Sequence, residues 1–168
     1  MPAMRTTLAP PSFAFLVAHP AHFVALGFGA GLSPVMPGTV GTLVAFPIAW
    51  LLHAHAGTLA FLAVTAAITV AGVFAAEVTG RHLGAADHGA IVIDEIAAFM
   101  LVLFFAGSGA LQQAVAFVLF RIFDIAKPPP IRQVDQTVHG GIGVMADDFI
   151  AAGYALLVLA IAQRLFFE

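Results

Sequence analysis

The sequence predicts an all-α protein, a polytopic transmembrane bundle of about four to six membrane helices with its polar loops on one face. Three observations carry this reading. Hydrophobic residues make up 61% of the 168-residue chain and charged residues only 9%, with a mean hydropathy of +1.03. An ordinary soluble domain is about half apolar and about a quarter charged. Apolar runs recur at the length that a bilayer demands, about 20 residues for a hydrocarbon core of roughly 30 Å. The remaining charge is gathered into a few segments instead of being spread over a surface. In water such a chain would present apolar patches that nothing covers. In lipid its runs must be helical, because each backbone group has to be satisfied within its own segment.

Residues 1–12 carry only Arg5 and a Pro10-Pro11 pair near their end, without the pattern of a secretory signal. They read as a short, poorly ordered tail, leaving 13–168 as a single membrane-embedded domain. The run 13–28 is interrupted by His19, Pro20 and His22, so it either spans or lies along the interface. The run 42–56 is short and contains Pro47. The clearest spans are 58–76 and 149–167, and 91–107 and 110–126 form a pair separated by the turn Gly107-Ser108-Gly109. Between these runs lie three segments rich in glycine, proline, histidine and charge: 27–41, 77–89 and 127–148. If each intervening run crosses once, all three emerge on the same side. Arg81, Lys127 and Arg132 belong to that side, with Arg121 close by, whereas Arg164 lies towards the other. The excess of positive charge predicts that the polar face is cytoplasmic.

The net charge of −3 offers no basic field for nucleic acid. Without cysteine the chain has neither a disulfide framework nor thiolate metal sites.

All the charged residues except Arg5, Arg164 and Glu168 fall in two windows, 77–95 and 121–148. Several sit inside or against apolar runs, where an ionised side chain costs on the order of 2.5–3.5 kcal/mol. Arg121 and Asp124, three apart on one helix, can neutralise each other. The acids Asp94, Glu95, Asp124, Asp147 and Asp148 still outnumber the nearby cations, and an excess of buried carboxylate calls for a divalent ion. Hard oxygen donors without sulfur point to magnesium, calcium or manganese. Arg121, Lys127, Arg132, His88 and His139 are candidate phosphate partners, arginine as a planar fork and lysine as a point charge. Carboxylates and cations together suggest metal-assisted phosphoryl chemistry. Thr39 and Thr42, within Pro37-Gly38-Thr39-Val40-Gly41-Thr42, stand where a helix start would attract an anion. The same glycines equally suit close helix packing.

Three blocks stand in register. The first runs Gly27-Phe28-Gly29-Ala30-Gly31-Leu32-Ser33-Pro34 and on through Pro37-Gly38-Thr39-Val40-Gly41-Thr42. The second is His88-Gly89-Ala90-Ile91-Val92-Ile93-Asp94-Glu95. The third runs from Phe120-Arg121-Ile122-Phe123-Asp124 through Lys127-Pro128-Pro129-Pro130-Ile131-Arg132 and Asp135 to His139-Gly140-Gly141 and Asp147-Asp148. Their order, spacing and content closely resemble the bacterial phosphatidylglycerophosphatase A family, over nearly the whole chain from about residue 21 to 153. Ala30, Ala90, Ile93 and Pro129 depart from common family residues without removing a charged group. The resemblance implies a magnesium-dependent phosphatase of the inner membrane, releasing the terminal phosphate of phosphatidylglycerophosphate.

On that reading Asp94, Glu95, Asp124, Asp147 and Asp148 are candidate magnesium ligands. Arg121, Lys127 and Arg132, with Thr39, Thr42 and His88, are candidate phosphate contacts. Asp148 or Glu95 would orient the attacking water, and His139 or His88 would protonate the leaving glycerol oxygen. Asp94, Asp124 and Lys127 complete the expected catalytic set. Two other classes compete, a small multispanning transporter and a non-catalytic membrane subunit assembled through paired charges. Grouping of the polar loops on one face argues against the first, and the surplus of carboxylates argues against the second.

Overall fold

The computed structural model describes residues 10–167, with side chains through residue 165. The expected disorder of the N-terminal tail falls largely on residues 1–9, outside the described part. The described residues are helical, without strands, in the order α1 (Phe13–Ala18), α2 (Pro20–Ala25), a 3₁₀ segment (Gly27–Leu32), α3 (Pro37–His55), α4 (Thr58–Leu83), α5 (Ile93–Ala106), α6 (Ala110–Ala126), α7 (Ile131–Thr137) and α8 (Gly140–Phe167). By length and composition α3, α4 and α8 can each cross a bilayer. The protein is a polytopic all-α membrane protein.

The run 13–28 does not form a span. Pro20 supplies no N–H for a continuing helix and suits a first-turn position, so the chain breaks at His19 and restarts as α2. Two six-residue helices are too short to cross. α2 lies instead beside the C-terminal end of α4, where His22 Nε2 and His82 Nδ1 are 2.7 Å apart, and α1 packs on α2.

Other boundaries shift outward into what the sequence presents as polar segments. α3 begins at Pro37 and not at 42, α4 runs on to Leu83, and α8 begins at Gly140, nine residues before the apolar run. Asp147 and Asp148 therefore stand inside a helix, about two turns from its start. The helix continues through them because they face other side chains of the bundle instead of lipid.

α5 is the central helix. Almost every residue from Ile93 to Leu103 is buried, and it packs against α3, α4, α6 and α8. Beyond its first turn it is apolar on all sides, as an enclosed helix must be. Large apolar side chains on the outer helices, among them Trp50, Leu59, Phe74 and Leu111, are exposed and form the lipid-facing surface. Small residues set the spacing between α3 and α5. A Cβ on Gly41 would lie 2.6 Å from Val92 Cβ, so only glycine lets the two backbones approach this closely.

Candidate active site

The site lies at the end of the bundle where α3 and α5 begin and α6 ends. α5 starts with Asp94 and Glu95 in its first turn, where the helix dipole favours negative charge. Asp148 meets them from α8. One carboxylate oxygen from each of Asp94, Glu95 and Asp148 lies within 4.8 Å of the other two. Asp94 and Asp148 are buried, and the Glu95 side chain is only 12% exposed. Asp94 Oδ1, Glu95 Oε2 and Asp148 Oδ2 are all buried without a hydrogen-bond partner. Like charges this close repel by roughly 3 kcal/mol per pair even at an effective dielectric of 20. Buried polar atoms are normally paired, so three orphan oxygens in one cluster need an explanation.

Arg121, from α6, is the cation nearest the trio. Its guanidinium pairs with Asp124 one turn along α6, lies 3.6 Å from Glu95, and donates to Thr42 Oγ1 at 3.4 Å. Its Nε remains buried and unpartnered. Thr42 itself donates to the Gly38 carbonyl at 2.8 Å, so this hydroxyl braces the arginine from α3. Gly38 sits directly against the Glu95 carboxylate, leaving no room for a side chain.

Lys127 provides the second cation. It caps α6 in the left-handed region (φ 42), a conformation disfavoured for a side chain with a Cβ and of the kind that collects at functional sites. Met36, the residue before α3, is also left-handed (φ 49) and lines the same cavity. Lys127 Nζ donates to Asp135 Oδ1 and Asp147 Oδ2, both at 2.6 Å. Burial alone would lower its pKa, but the two carboxylates outweigh this and hold the ammonium above the usual lysine range.

These groups line an open cavity of about 490 Å³ together with Met36, Pro37, Asp87, Gly89 and Ile91. The structure thus gathers Asp94, Glu95, Asp124, Asp147, Asp148, Arg121 and Lys127 into one place. Asp147 stands outside the trio and is paired with Lys127. Asp124 is likewise engaged by Arg121. Other expected residues lie elsewhere. His139 is exposed and borders a small cavity of about 50 Å³ that shares Asp87 with the large one, and Arg132 is exposed on α7. His88 accepts from its own loop at Ala90 N, 3.2 Å away, and neither it nor Thr42 lines the large cavity. Thr39 lines an adjoining groove between α3 and α6. None of these five lines the large cavity. Asp87 and Gly38, which line it, carry no signal in the sequence that singles them out.

No solved structure matches the chain. Two similar proteins are both named phosphatidylglycerophosphatase A. The one from Escherichia coli strain K12 is 42% identical over 136 residues, covering 80% of this chain and 78% of the relative. The one from Haemophilus influenzae is 40% identical over 146 residues, covering 86% and 90%. A third relative, from Bacteroides thetaiotaomicron, is 36% identical over 147 residues, covering 83% and 91%, and carries the provisional name phosphatidylinositol-3-phosphatase. The family described as phosphatidylglycerophosphatase A matches residues 23–163, a span that contains every cavity-lining side chain above. By that match and by these identities, the chain belongs to the phosphatidylglycerophosphatase A family.

Proposed function

We propose that this protein hydrolyses the terminal phosphomonoester of phosphatidylglycerophosphate, giving phosphatidylglycerol and inorganic phosphate, at the cytoplasmic face of a bacterial inner membrane. The observation that carries the reading is the trio Asp94, Glu95 and Asp148, with its three unpartnered oxygens, facing a cavity that also presents Arg121 and Lys127. The relatives named for this activity support the choice of substrate.

The donor set fits magnesium. Its oxygens are hard, they come from three carboxylates, and their mutual repulsion is relieved by a divalent ion. Asp94, Glu95 and Asp148 would hold it. When bound, such an ion polarises phosphoryl oxygens and lowers the pKa of coordinated water.

The chain's own groups do the rest. Arg121 is fixed by Glu95, Asp124 and Thr42, so its remaining N–H groups are oriented before a phosphate arrives. A group held in advance avoids reorganisation at the moment of reaction, which is where electrostatic catalysis gains most. Lys127 is fixed in the same way by Asp135 and Asp147 and supplies a second positive charge across the cavity. Hydrolysis adds a water oxygen to phosphorus and breaks the bond to the glycerol oxygen, which leaves with a proton as the alcohol. Phosphoryl transfer is dominated by positioning and charge stabilisation, which is what this cavity offers. The second carboxylate oxygen of Asp148 or Glu95, the one not needed for the ion, takes the proton of the attacking water. Neither His139 nor His88 lines the large cavity, so on this reading water brings the proton to the leaving oxygen.

The test is phosphate release from phosphatidylglycerophosphate by purified protein in detergent, with phosphatidic acid and phosphatidylinositol-3-phosphate as comparisons. Preferential, magnesium-dependent release from the first substrate supports the reading. Equal rates on all three would remove the headgroup assignment, and no release would remove the activity.

A further inference from the structure

Between α3 and α6 a second opening of about 430 Å³ adjoins the acidic cavity. Both helices rest on α5. Their backbones stay apart; they meet through Arg121 and Thr42 beside the cavity and, towards the membrane interior, through the rings of Phe46 and Phe117, 6.0 Å apart. Apart from Thr39 and Arg121 the lining is apolar, with Phe117, Val118 and Ile122 along the α6 side. Val118 and Ile122 are each 53% exposed. Met36, Arg121 and Ile125 line both openings, so the groove continues directly from the place where a phosphate would sit. From Ile125 back to Val118 is seven residues of helix, about 10 Å along the helix axis.

We propose that this groove is the lateral entrance of the active site and holds the diacylglycerol end of the substrate while its phosphate occupies the cavity. The proposal rests on the phosphatase reading above and adds where the lipid lies. A phosphate carried on a diacyl lipid has its chains in the bilayer, so it must enter from the side. Arg121 stands at the junction and meets the phosphate, and the apolar wall of α6 receives the first part of an acyl chain. Contacts remote from the reacting bond then hold the phosphomonoester in place, which is how binding energy far from the chemistry raises turnover.

The chain has no cysteine, which permits a direct test. Ile122→Cys places a single thiol in the groove. Val70→Cys places one on α4, which does not border it, at a residue that is 58% exposed. Each purified variant is assayed before and after reaction with N-phenylmaleimide, with labelling followed by mass spectrometry. Because the unlabelled variant is its own control, misfolding is recognised at once. Should Ile122→Cys be inactive before labelling, Val118→Cys takes its place. Labelling in the groove should lower turnover about tenfold or more, against less than about twofold on α4. Dioleoyl phosphatidylglycerol in the micelles should also slow labelling in the groove and leave the rate on α4 unchanged. Equal effects at the two positions, or no protection by the lipid, would overturn the proposal. Failure of the phosphatase reading shows separately, as absence of phosphate release from the unlabelled protein.

Discussion

Gly38→Ala separates the position of Glu95, a carboxylate of the proposed site, from the stability of the bundle. A Cβ at residue 38 would overlap Glu95 Oε1 and lie 3.2 Å from both Glu95 Cδ and Arg121 Nη2. Glu95 must retreat by on the order of 1 Å, a displacement that typically costs about 10²-fold in rate when it occurs at a reacting centre. That is about 2.7 kcal/mol of lost transition-state stabilisation. Folding should change much less. Overpacking costs roughly 1–3 kcal/mol, partly offset by about 0.4–1 kcal/mol from restricting the unfolded chain. Phosphate release and thermal unfolding of the same detergent-solubilised sample separate the two effects. Activity should fall about a hundredfold while Tm moves by a few degrees. Glu95→Asp, one methylene shorter, relieves the overlap. The double variant should therefore be less impaired than the two single losses combined, by a coupling of about 1 kcal/mol or more. An alanine variant within about threefold of wild type would refute the claim that Glu95 must sit where it does.

Other expectations follow from the same geometry. Asp94→Asn, Glu95→Gln and Asp148→Asn should each abolish magnesium-dependent release, yet in EDTA be no less stable than wild type, because each removes one of three mutually repelling charges. Magnesium at about a hundred times its Kd should stabilise wild type by about 2.7 kcal/mol and leave these variants unchanged, as read by thermal unfolding. Lys127 has a raised pKa in the folded protein, so its contribution is complete below the unfolded pKa of about 10.4 and fades as pH rises through the folded value. Tm differences between wild type and Lys127→Met, measured from about pH 8 to 12, should accordingly be largest at the lower end and shrink above about 10.4. His139→Ala and Arg132→Ala should keep kcat within about threefold of wild type, against the roughly 10²–10⁴-fold loss of a general acid.

The membrane bundle was legible because lipid leaves a segment few choices: an apolar run of bilayer length is a helix wherever it falls. Helix ends were not, and the reason is instructive at α8. Asp147 and Asp148 look like loop residues beside an apolar run, but the helix extends through them because partners from other helices surround them. The acids that the charge surplus singled out, Asp94, Glu95, Asp124, Asp147 and Asp148, all line one cavity. Their pairing stayed hidden, since the contacts of Lys127 with Asp135 and Asp147 depend on how α6, α7 and α8 meet. Gly38 was visible only as part of a glycine-rich stretch, and its contact with Glu95 joins residues 57 positions apart, beyond any local pattern. His88 and His139 belong to the sequence blocks that supply the site, yet neither lines the large cavity: His88 lies between Asp87 and Gly89, which do, and His139 borders a small cavity that shares Asp87 with it.

Metal binding to the carboxylate trio is the claim on which the rest depends, and manganese, as a paramagnetic substitute for magnesium, reports it without requiring turnover. Electron paramagnetic resonance titration of the purified protein should show bound manganese that magnesium displaces, with the binding lost in Asp148→Asn and retained in His139→Ala. Binding that survives Asp148→Asn, or no binding by the wild-type protein, would contradict the account.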